Sequence, residues 1–315
     1  MKHLFVINPA AGRKDRTPEV YEKAAEIFSR RDDSFEVYVT KGPMDAPRAI
    51  RDAAADGDEL RVYACGGDGT YNECVCGAAG LANAAVTPYA TGTGNDFIRM
   101  FGAEKELFRD MDALVNGAVH PMDVIDCNGR ICANIASVGF DARVGTDVHK
   151  YSRIPLIGGA TGYVASLAVN FVKGLHRPMR ISGCGAAREG EYTMVCVCNG
   201  RYYGGGFNPV PQADPCDGLM DILVVGELPR QKAAGMVLAY SKGQYAKMPR
   251  YITLLRGSEI QIAFDRQSVV NIDGEALYAR DIHMKLIPGG VNFIAPRGLT
   301  FFESLSRPKL VTEIS

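Results

Sequence analysis

A glycine-rich stretch, CGGDGTYNE at residues 65–73, has the residue types most clearly suited to chemistry in this sequence. Three of the five residues from Gly66 to Thr70 are glycine, and Asp68 carries the one charge among them. Backbone N–H groups of a glycine-rich turn that opens a helix bind anions, because no Cβ blocks the approach and the helix dipole adds partial positive charge. The stretch therefore predicts a site for a phosphate chain.

The carboxylate of Asp68 needs a cation beside those phosphates, since two negative groups repel each other. Mg²⁺ takes oxygen ligands and commonly bridges one or two carboxylates to substrate phosphates. Asp96 in GTGNDF and Asp123 in PMDV add two carboxylates at or beyond the predicted ends of neighbouring strands. Together the three indicate a metal-bound nucleotide, whereas a lone GGDG could equally be a turn without a ligand.

Strands and helices alternate over the first third of the chain, and these elements must position the candidate residues. Buried runs predict four strands, HLFVIN, FEVYVT, LRVYAC and AAVTPYAT, and helical periodicity predicts helices over 18–31, 46–55 and 71–81. This alternation predicts a parallel sheet in an α/β domain, where ligands bind beyond the carboxyl ends of the strands. The four strands run into NPAAGR, TKG, GGDGT and GTGNDF, so polar or glycine-rich loops should meet at one edge.

Beyond about Asp123 the pattern changes to short strand-like runs with turn signals between them. Such runs predict a mainly antiparallel β-sandwich domain. The boundary is predicted within 123–128. The fold prediction is therefore an α/β nucleotide-binding domain over 1–125, completed by 298–315 with a strand-like stretch at 298–303, and a β-sandwich domain over 126–297.

Composition argues against several classes of protein. A formal net charge of −1 and the lack of a Lys/Arg run interleaved with aromatics argue against nucleic acid as a partner. Nine cysteines without a CxxC pair fit neither a disulfide framework nor a zinc ribbon. The patterns GxxxxGK[ST], GxGxxG and HExxH are absent. The first residues do not resemble a signal peptide, so a cytoplasmic protein is expected.

Residues 154–172, IPLIGGATGYVASLAVNFV, contain no charge and are long enough to cross a bilayer. Pro155, the Gly158-Gly159 pair and Gly162 interrupt the run, which predicts a buried or interfacial helix and leaves a membrane span as the alternative.

Four motifs in a fixed order resemble the diacylglycerol kinase catalytic family. They are NPAAG at 8–12, GGDGT at 66–70 followed by Asn72-Glu73, GTGNDF at 92–97 and IDGE at 272–275. That family includes soluble bacterial diacylglycerol and other lipid kinases as well as sphingosine and ceramide kinases. GGDGT alone is shared with NAD kinases, so the ordered set, which covers almost the whole chain, carries the resemblance.

The resemblance implies ATP and Mg²⁺ as cofactors. The positions that match the family's ATP site are Asn8, Pro9, Ala10, Ala11, Gly12, Thr40, Gly66, Gly67, Asp68, Gly69, Thr70, Tyr71, Asn72 and Thr93. The positions that match a carboxylate network around Mg²⁺ are Asp68, Asp96 and Asp123. A structural Mg²⁺ in PQADPCDGLMD is implied on Asp214, Asp217 and the carbonyl of Leu219. Without the resemblance, this last loop is interpreted as a plain Asp-Gly turn.

Asp273 and Glu275 match the family's candidates for the general base, with Asp68 as the third residue implied in catalysis. Phosphoryl transfer to an alcohol needs a carboxylate that accepts the hydroxyl proton. We expect Asp273 to be the base and place Glu275 second; a hairpin turn is the alternative for the Asp-Gly pair. Since both residues lie far in sequence from GGDGT, reaction is expected in a cleft between the domains.

The resulting prediction is an ATP- and Mg²⁺-dependent lipid kinase that phosphorylates a hydroxyl of diacylglycerol or a related lipid. The lipid is expected at the inner face of a membrane through peripheral contact, with residues 154–172 lining the acyl pocket or touching the bilayer. The alternatives are a soluble NAD kinase-like enzyme and a catalytically silent nucleotide-binding protein. The assembly is left open, with a homodimer among the options.

Overall fold

A computed structural model of the chain describes residues 1–11, 14–92, 94–151, 166 and 169–305. The chain forms two compact units. Unit 1 comprises Met1–Pro121 and Val291–Ser315, and unit 2 comprises Met122–Gly290. The change of unit at residue 121 precedes the predicted boundary by a few residues, and the chain returns to unit 1 at residue 291, before the predicted 298.

Unit 1 is built on a parallel sheet in the order β4-β3-β1-β2. The strands are β1 (Lys2–Ile7), β2 (Ser34–Val39), β3 (Leu60–Gly66) and β4 (Ala84–Ala90). All seven residues of β4 are buried, as expected for a parallel strand covered on both faces. The predicted α/β architecture is confirmed.

Helices connect the strands of unit 1, and further helices occur in unit 2. The α-helices of the described residues are α1 (Thr17–Phe28), α2 (Ala46–Ala54), α3 (Asp68–Ala78), α4 (Met111–Val115), α5 (Phe140–Tyr151), α6 (Ala233–Ser241) and α7 (Phe301–Leu305). A 3-10 helix over Phe97–Arg109 follows β4. Helix α3 begins three residues before its predicted start, because Gly67 caps it and accepts a 3.1 Å hydrogen bond from the Tyr71 amide.

The stretch 298–303 is not a strand, and that part of the prediction is wrong. It forms a turn that leads into α7. Phe302 is buried there and stacks on His120 with ring centroids 4.3 Å apart, while Phe301 meets Phe101 edge-on at 5.2 Å. Phe301 and Phe302 of the predicted strand therefore pack on two sides of a helical turn.

Unit 2 is mainly antiparallel, as predicted. Its strands are β5 (Ala118–Cys127, beginning in unit 1), β6 (Arg130–Cys132), β7 (Ile135–Gly139), β8 (Arg177–Gly183), β9 (Ala186–Cys198), β10 (Met220–Gly226), β11 (Ile252–Gly257), β12 (Glu259–Ile272) and β13 (Glu275–Ala295, ending in unit 1). The strand order is β11-β10-β9-β7-β12-β13, and β8 pairs with both β9 and β12.

Alternation along β9 shows how unit 2 forms two apolar layers. Val195 and Val197 join one buried cluster, whereas Met194, Cys196 and Cys198 join the other. Successive side chains of a strand point to opposite faces, so a strand buried on both sides contributes to both layers. All nine cysteines are free thiols, in agreement with the absence of a disulfide framework.

The apolar segment 154–172 lies largely outside the described residues, which include only 166 and 169–172 of it. Its predicted helix and its acyl-pocket role therefore stay predictions. Within the described part of the chain, no helix is both long and apolar enough to cross a membrane.

The buried imidazole of His3 makes the stability of unit 1 depend on pH. Its Nδ1 lies 2.8 Å from the Tyr63 hydroxyl, and burial lowers its pKa from 6.5 to about 4, although Asp33 acts in the opposite direction. Below about pH 6.5 the unfolded chain binds a proton that the folded chain excludes. Stability contributed by this group is therefore lost as the pH falls from 6.5 toward 4.

We expect the free energy of unfolding to fall by about 3 kcal/mol through His3 over this range. A His3→Gln variant should show a smaller pH dependence, whereas His283→Gln, at an exposed imidazole, should behave like the native chain. Chemical denaturation at several pH values measures the difference. Identical pH profiles for His3→Gln and the native chain would contradict the prediction.

Candidate functional site

The loop after β3 turns directly into the first turn of α3 and leaves room beside it. Gly67 is extended, with φ −106° and ψ −165°. A Cβ on Gly66 would clash with the Thr70 side chain, so this glycine is required by packing. A Cβ on Gly67 or Gly69 would meet no atom of the described residues within 4 Å. The backbone at these two positions is thus open to a ligand at the N-terminus of an eleven-residue helix.

Asp68 connects this loop to the one that follows β4. Its Oδ2 accepts a 2.9 Å hydrogen bond from the Asp96 amide, and its Oδ1 accepts one of 3.1 Å from the Phe97 amide. These amides begin the 3-10 helix, so the carboxylate caps a helix 28 residues further along the chain. Asp96 is buried, and its Oδ1 lies 2.9 Å from Arg99 Nε. The Asp68 carboxylate therefore lies against the Asp96 backbone, while the Asp96 carboxylate faces Arg99; their role around Mg²⁺ stays a prediction.

Two glycines of GTGNDF are explained by the close approach of these loops. The Gly92 amide donates to the Gly66 carbonyl over 2.9 Å, and a Cβ on Gly92 would lie 2.7 Å from the Gly67 nitrogen. A Cβ on Gly94 would lie 2.9 Å from Asp68 Oδ2. The second role of Asp68, holding the loops together, was missed because it depends on this contact. Thr93 lies outside the described residues.

The loops after β1 and β2 lie at the carboxyl ends of their strands, on the edge expected to bind ligands. Asn8 Oδ1 accepts a 3.0 Å hydrogen bond from the Ala10 amide, and the Ala11 amide donates to the Asn8 carbonyl. Thr40 donates through both its amide and its hydroxyl to the Ile7 carbonyl. Pro9 is exposed beside them, and Gly12 lies outside the described residues.

Three further positions of the predicted ATP site lie within α3 and are buried. Thr70, Tyr71 and Asn72 are all less than 9% exposed, and the Tyr71 ring packs 4.8 Å from that of Phe97. Their side chains thus fix the helix to the body of unit 1.

Asp123 and the loop over 214–219 form a separate acidic cluster within unit 2. Asp123 accepts hydrogen bonds from the amides of Gly218, at 2.9 Å, and Gly289, at 2.8 Å. Burial raises its pKa, and the nearby carboxylates of Asp214 and Asp217 raise it further. Of the three carboxylates predicted around Mg²⁺, Asp68 and Asp96 belong to unit 1 and Asp123 belongs to unit 2.

Arg256 places a positive charge beside this acidic loop. Its Nη2 lies 2.5 Å from Asp217 Oδ2, and its Nε lies 2.9 Å from Asp221 Oδ1. Asp221 is 1% exposed, and β10 and β11 pair it directly with Arg256. Sequence reasoning missed this residue because the cross-strand register cannot be read from either strand alone.

The donor set of the loop does not match a divalent-cation site. One Asp217 oxygen is engaged by Arg256, and the other accepts the Leu219 amide at 3.1 Å. Asp214 Oδ1 accepts the Cys216 amide at 3.1 Å. Across the described residues, no group of three or more His, Cys, Asp or Glu is arranged to hold a metal ion. The structural Mg²⁺ on Asp214, Asp217 and Leu219 stays a prediction.

If Arg256 takes the place of a metal ion beside Asp217, chelation with EDTA should leave the melting temperature of the native chain unchanged. Replacing Arg256 with Gln should cost about 2 kcal/mol of stability, because the buried Asp221 then loses this partner. The cost is lower than for a fully buried ion pair, because Arg256 is partly exposed. Thermal unfolding measures both effects, with Arg180→Gln, from an exposed ion pair, as the matched control. A melting temperature that falls in EDTA and recovers with Mg²⁺ would instead support the metal site.

The IDGE motif forms a tight hairpin between β12 and β13. Ile272 pairs with Glu275, and the two loop residues Asp273 and Gly274 have φ values of 49° and 97°. Two positive φ angles in a two-residue loop are typical of a type I′ turn. The hairpin weighed as an alternative for this Asp-Gly pair is therefore present, and it does not by itself decide the role of the carboxylate.

The Asp273 carboxylate lies against a row of backbone amides. Its Oδ2 accepts from the Ala133 amide at 2.6 Å, and its Oδ1 accepts from the amides of Asn134 and Ile135 at 3.1 and 2.8 Å. Burial raises its pKa, and these donors act in the opposite direction. Glu275 is exposed, and its carboxylate makes no hydrogen bond within the described residues. The two candidate bases thus differ in environment, one held in place and one facing solvent.

Family comparisons match both parts of the chain. Residues 2–127 match the family described as "Diacylglycerol kinase catalytic domain". Residues 134–295 match the family described as "YegS C-terminal NAD kinase beta sandwich-like domain". The two matches follow the order of the predicted α/β and β-sandwich parts.

Curated relatives carry the same kind of name. A protein of Stenotrophomonas maltophilia (strain K279a) named "Probable lipid kinase YegS-like" is 32% identical over 84% of this chain and 87% of its own length. A protein of the same name from Pseudomonas aeruginosa (strain PAO1) is 30% identical over 88% of this chain and 90% of its own length.

A solved structure described as a diacylglycerol kinase from Bacillus anthracis str. Sterne resembles the fold of this chain. Its TM-score is 0.68 at 24% sequence identity, over 95% of this chain and 98% of that one. A further structure from the same organism gives a TM-score of 0.72 over the same shares. At this level of identity the likeness supports the fold alone.

Proposed function

Since the chain belongs to the YegS-like lipid kinases of the diacylglycerol kinase catalytic family, we propose that it transfers the γ-phosphate of Mg²⁺-bound ATP to a hydroxyl of diacylglycerol or a related lipid. The lipid is taken from a membrane surface, where such acceptors reside.

One observation carries the nucleotide part of the proposal. Among the described residues, no atom lies within 4 Å of where a Cβ on Gly67 or Gly69 would be, and these glycines lie at the start of a helix that has no side-chain cap. The amides that open a helix and the helix dipole together favour a phosphate oxygen at that point. The open backbone is thus more simply explained by a ligand than by packing, which accounts for Gly66, Gly92 and Gly94 instead.

Asp68 and Asp96 would hold the Mg²⁺ that accompanies ATP. A carboxylate offers about four lone-pair sites, and Asp68 uses two of them on backbone amides, so it keeps acceptor capacity. When bound, Mg²⁺ neutralises the charge that develops on the phosphates. The hydrogen bonds to Asp68 also fix its position before any ligand arrives.

For the acceptor side, we propose Asp273 as the general base. Burial raises its pKa toward the range in which proton transfer from a hydroxyl is efficient, and the three amides fix the carboxylate in one orientation. Glu275 remains the alternative, since its exposed carboxylate has no competing donors in the described structure.

Transfer of labelled γ-phosphate from Mg²⁺-ATP to lipids in mixed micelles tests the proposal. The acceptors are diacylglycerol, phosphatidylglycerol, monoacylglycerol and sphingosine, with NAD as a soluble control. Label in one lipid, lost in Asp68→Ala, is the expected result and identifies the acceptor. Label in NAD alone would show that the acceptor is a soluble nucleotide and not a lipid. Absence of label from every acceptor would overturn the proposal.

A further inference from the structure

Positive charge is concentrated in one stretch of unit 2. Residues 229–251 contain five Lys or Arg and no Asp or Glu, whereas the whole chain has 35 basic and 36 acidic residues. The rest of the chain is therefore left with 30 basic against 36 acidic residues. A nearly neutral protein thus carries a local basic region within an acidic remainder, and such a region attracts an anionic surface.

The five cations are exposed and have no carboxylate partner in the described structure. They are Arg230, Lys232, Lys242, Lys247 and Arg250, and we call them the basic surface. The contacts that they do make leave their charge unneutralised: Arg230 lies over the Phe171 ring at 5.5 Å, Arg250 lies over the Tyr251 ring at 5.9 Å, and Lys247 donates to Gln244. Exposed cations without a carboxylate partner also occur elsewhere in the described chain, so what distinguishes this region is that five of them lie together in a stretch without Asp or Glu.

Helix α6 lies between these cations and presents an uncharged outer face. Ala234, Gly235 and Leu238 are exposed, with Leu238 at 58%. Lys242 follows Leu238 by four residues, so the leucine and a flanking cation lie on the same side. The opposite side, which includes Met236 and Tyr240, is buried in the core of unit 2.

A second exposed apolar side chain lies near the start of the basic surface. Val172 is 77% exposed, and its neighbour Phe171 is the ring that Arg230 covers. Two aliphatic side chains in solvent near the cations of the basic surface form a combination that suits an anionic membrane interface: the cations attract head groups and the aliphatic groups enter the acyl boundary.

From these features we infer that the basic surface binds anionic lipid bilayers. The alternative polyanion, nucleic acid, is less well matched, because the outer face of α6 offers small and aliphatic groups rather than aromatic rings on which bases stack. The purpose of this membrane binding rests on the proposed function, since a lipid kinase must reach its acceptor in a membrane. Vesicle binding itself needs neither ATP nor catalysis.

Sedimentation of the full chain with vesicles tests the inference. The native chain should bind vesicles that contain phosphatidylglycerol, should not bind phosphatidylcholine alone, and should be released by salt. Replacing four cations by Gln (Lys232, Lys242, Lys247 and Arg250) should weaken binding by at least about tenfold. Leu238→Ser should weaken it further, because the apolar group no longer enters the bilayer.

A matched control removes the same charge elsewhere. Arg30, Lys105, Arg188 and Lys285 are also exposed, and their replacement by Gln should leave vesicle binding unchanged. Circular dichroism checks that each variant is folded. Equal losses in the two fourfold variants, no binding of the native chain to anionic vesicles, or binding to duplex DNA in place of vesicles would each overturn the inference.

A water-soluble, short-chain acceptor distinguishes the kinase proposal from the inference that the basic surface binds membranes. Phosphorylation of that acceptor should be the same in the native chain and in the fourfold variant of the basic surface, because none of those residues belongs to the nucleotide or base positions. If the soluble acceptor is phosphorylated and vesicles are not bound, the membrane surface is wrong and the kinase stands. If vesicles are bound and no acceptor is phosphorylated, the kinase proposal is wrong and the membrane surface stands.

Discussion

Replacing Asp273 with asparagine is expected to lower kcat/KM for lipid phosphorylation by about 10²- to 10⁴-fold, the usual contribution of a general base. The side chain keeps its size but can no longer accept the hydroxyl proton. Burial raises the pKa of Asp273. As the pH falls, the activity of the native chain should therefore begin to decline at a pH above the ordinary pKa of aspartate. Steady-state kinetics over a series of pH values measures both effects.

The pH profile separates the base from a merely structural carboxylate. Asp273 also accepts hydrogen bonds from Ala133, Asn134 and Ile135, so its amide variant could lose activity through a shifted hairpin. Loss of the base removes the acidic limb of the profile, whereas a structural shift lowers activity and leaves the limb in place. Glu275→Gln is the matched control and should retain most activity; a large loss there, with Asp273→Asn active, would transfer the role to Glu275.

Placing alanine at Gly69 is expected to raise the KM for ATP by at least about tenfold, or about 1.4 kcal/mol of binding, by putting a methyl group where the phosphates approach. The fold should tolerate the change, because the new Cβ meets no atom within 4 Å in the part of the chain that the structure describes, and the residue lies within α3. Alanine in a helix is, if anything, more stable than glycine.

Gly235→Ala is the matched control for that variant. Gly235 also lies within a helix, and a Cβ added there would likewise meet no described atom within 4 Å. Thermal unfolding should show both variants to be folded, and only Gly69→Ala should lose affinity for ATP. An unchanged KM in Gly69→Ala would show that the open space at this glycine is not where the nucleotide binds.

Much of unit 1 could be predicted because three of its four strands are buried on both faces, with only the edge strand β2 partly exposed. Runs such as AAVTPYAT are apolar without alternation, and the glycine-rich loops that follow them indicate the ligand edge. The start of α3 was harder to place, since glycine is a poor helix former and its role as the cap depends on the extended backbone of Gly67.

Contacts distant in sequence were not predictable from local patterns. The capping of the 3-10 helix by Asp68 joins residues 28 positions apart, and the pairing of Asp221 with Arg256 joins residues 35 positions apart. Each needs the register or the loop path of the folded chain. Local aromatic content also misled: Phe301 and Phe302 favour a strand, but packing against other rings holds them in a helical turn.

Hydrogen exchange at the start of α3, with and without Mg²⁺-ATP, tests the central claim most directly. If the nucleotide phosphates bind the first-turn amides, exchange in a peptide covering residues 66–72 should slow when Mg²⁺-ATP is added, while a peptide over the start of α2 should be unaffected. Protection that is absent from 66–72 under conditions where ATP binds would contradict the account, because the phosphates would then lie elsewhere.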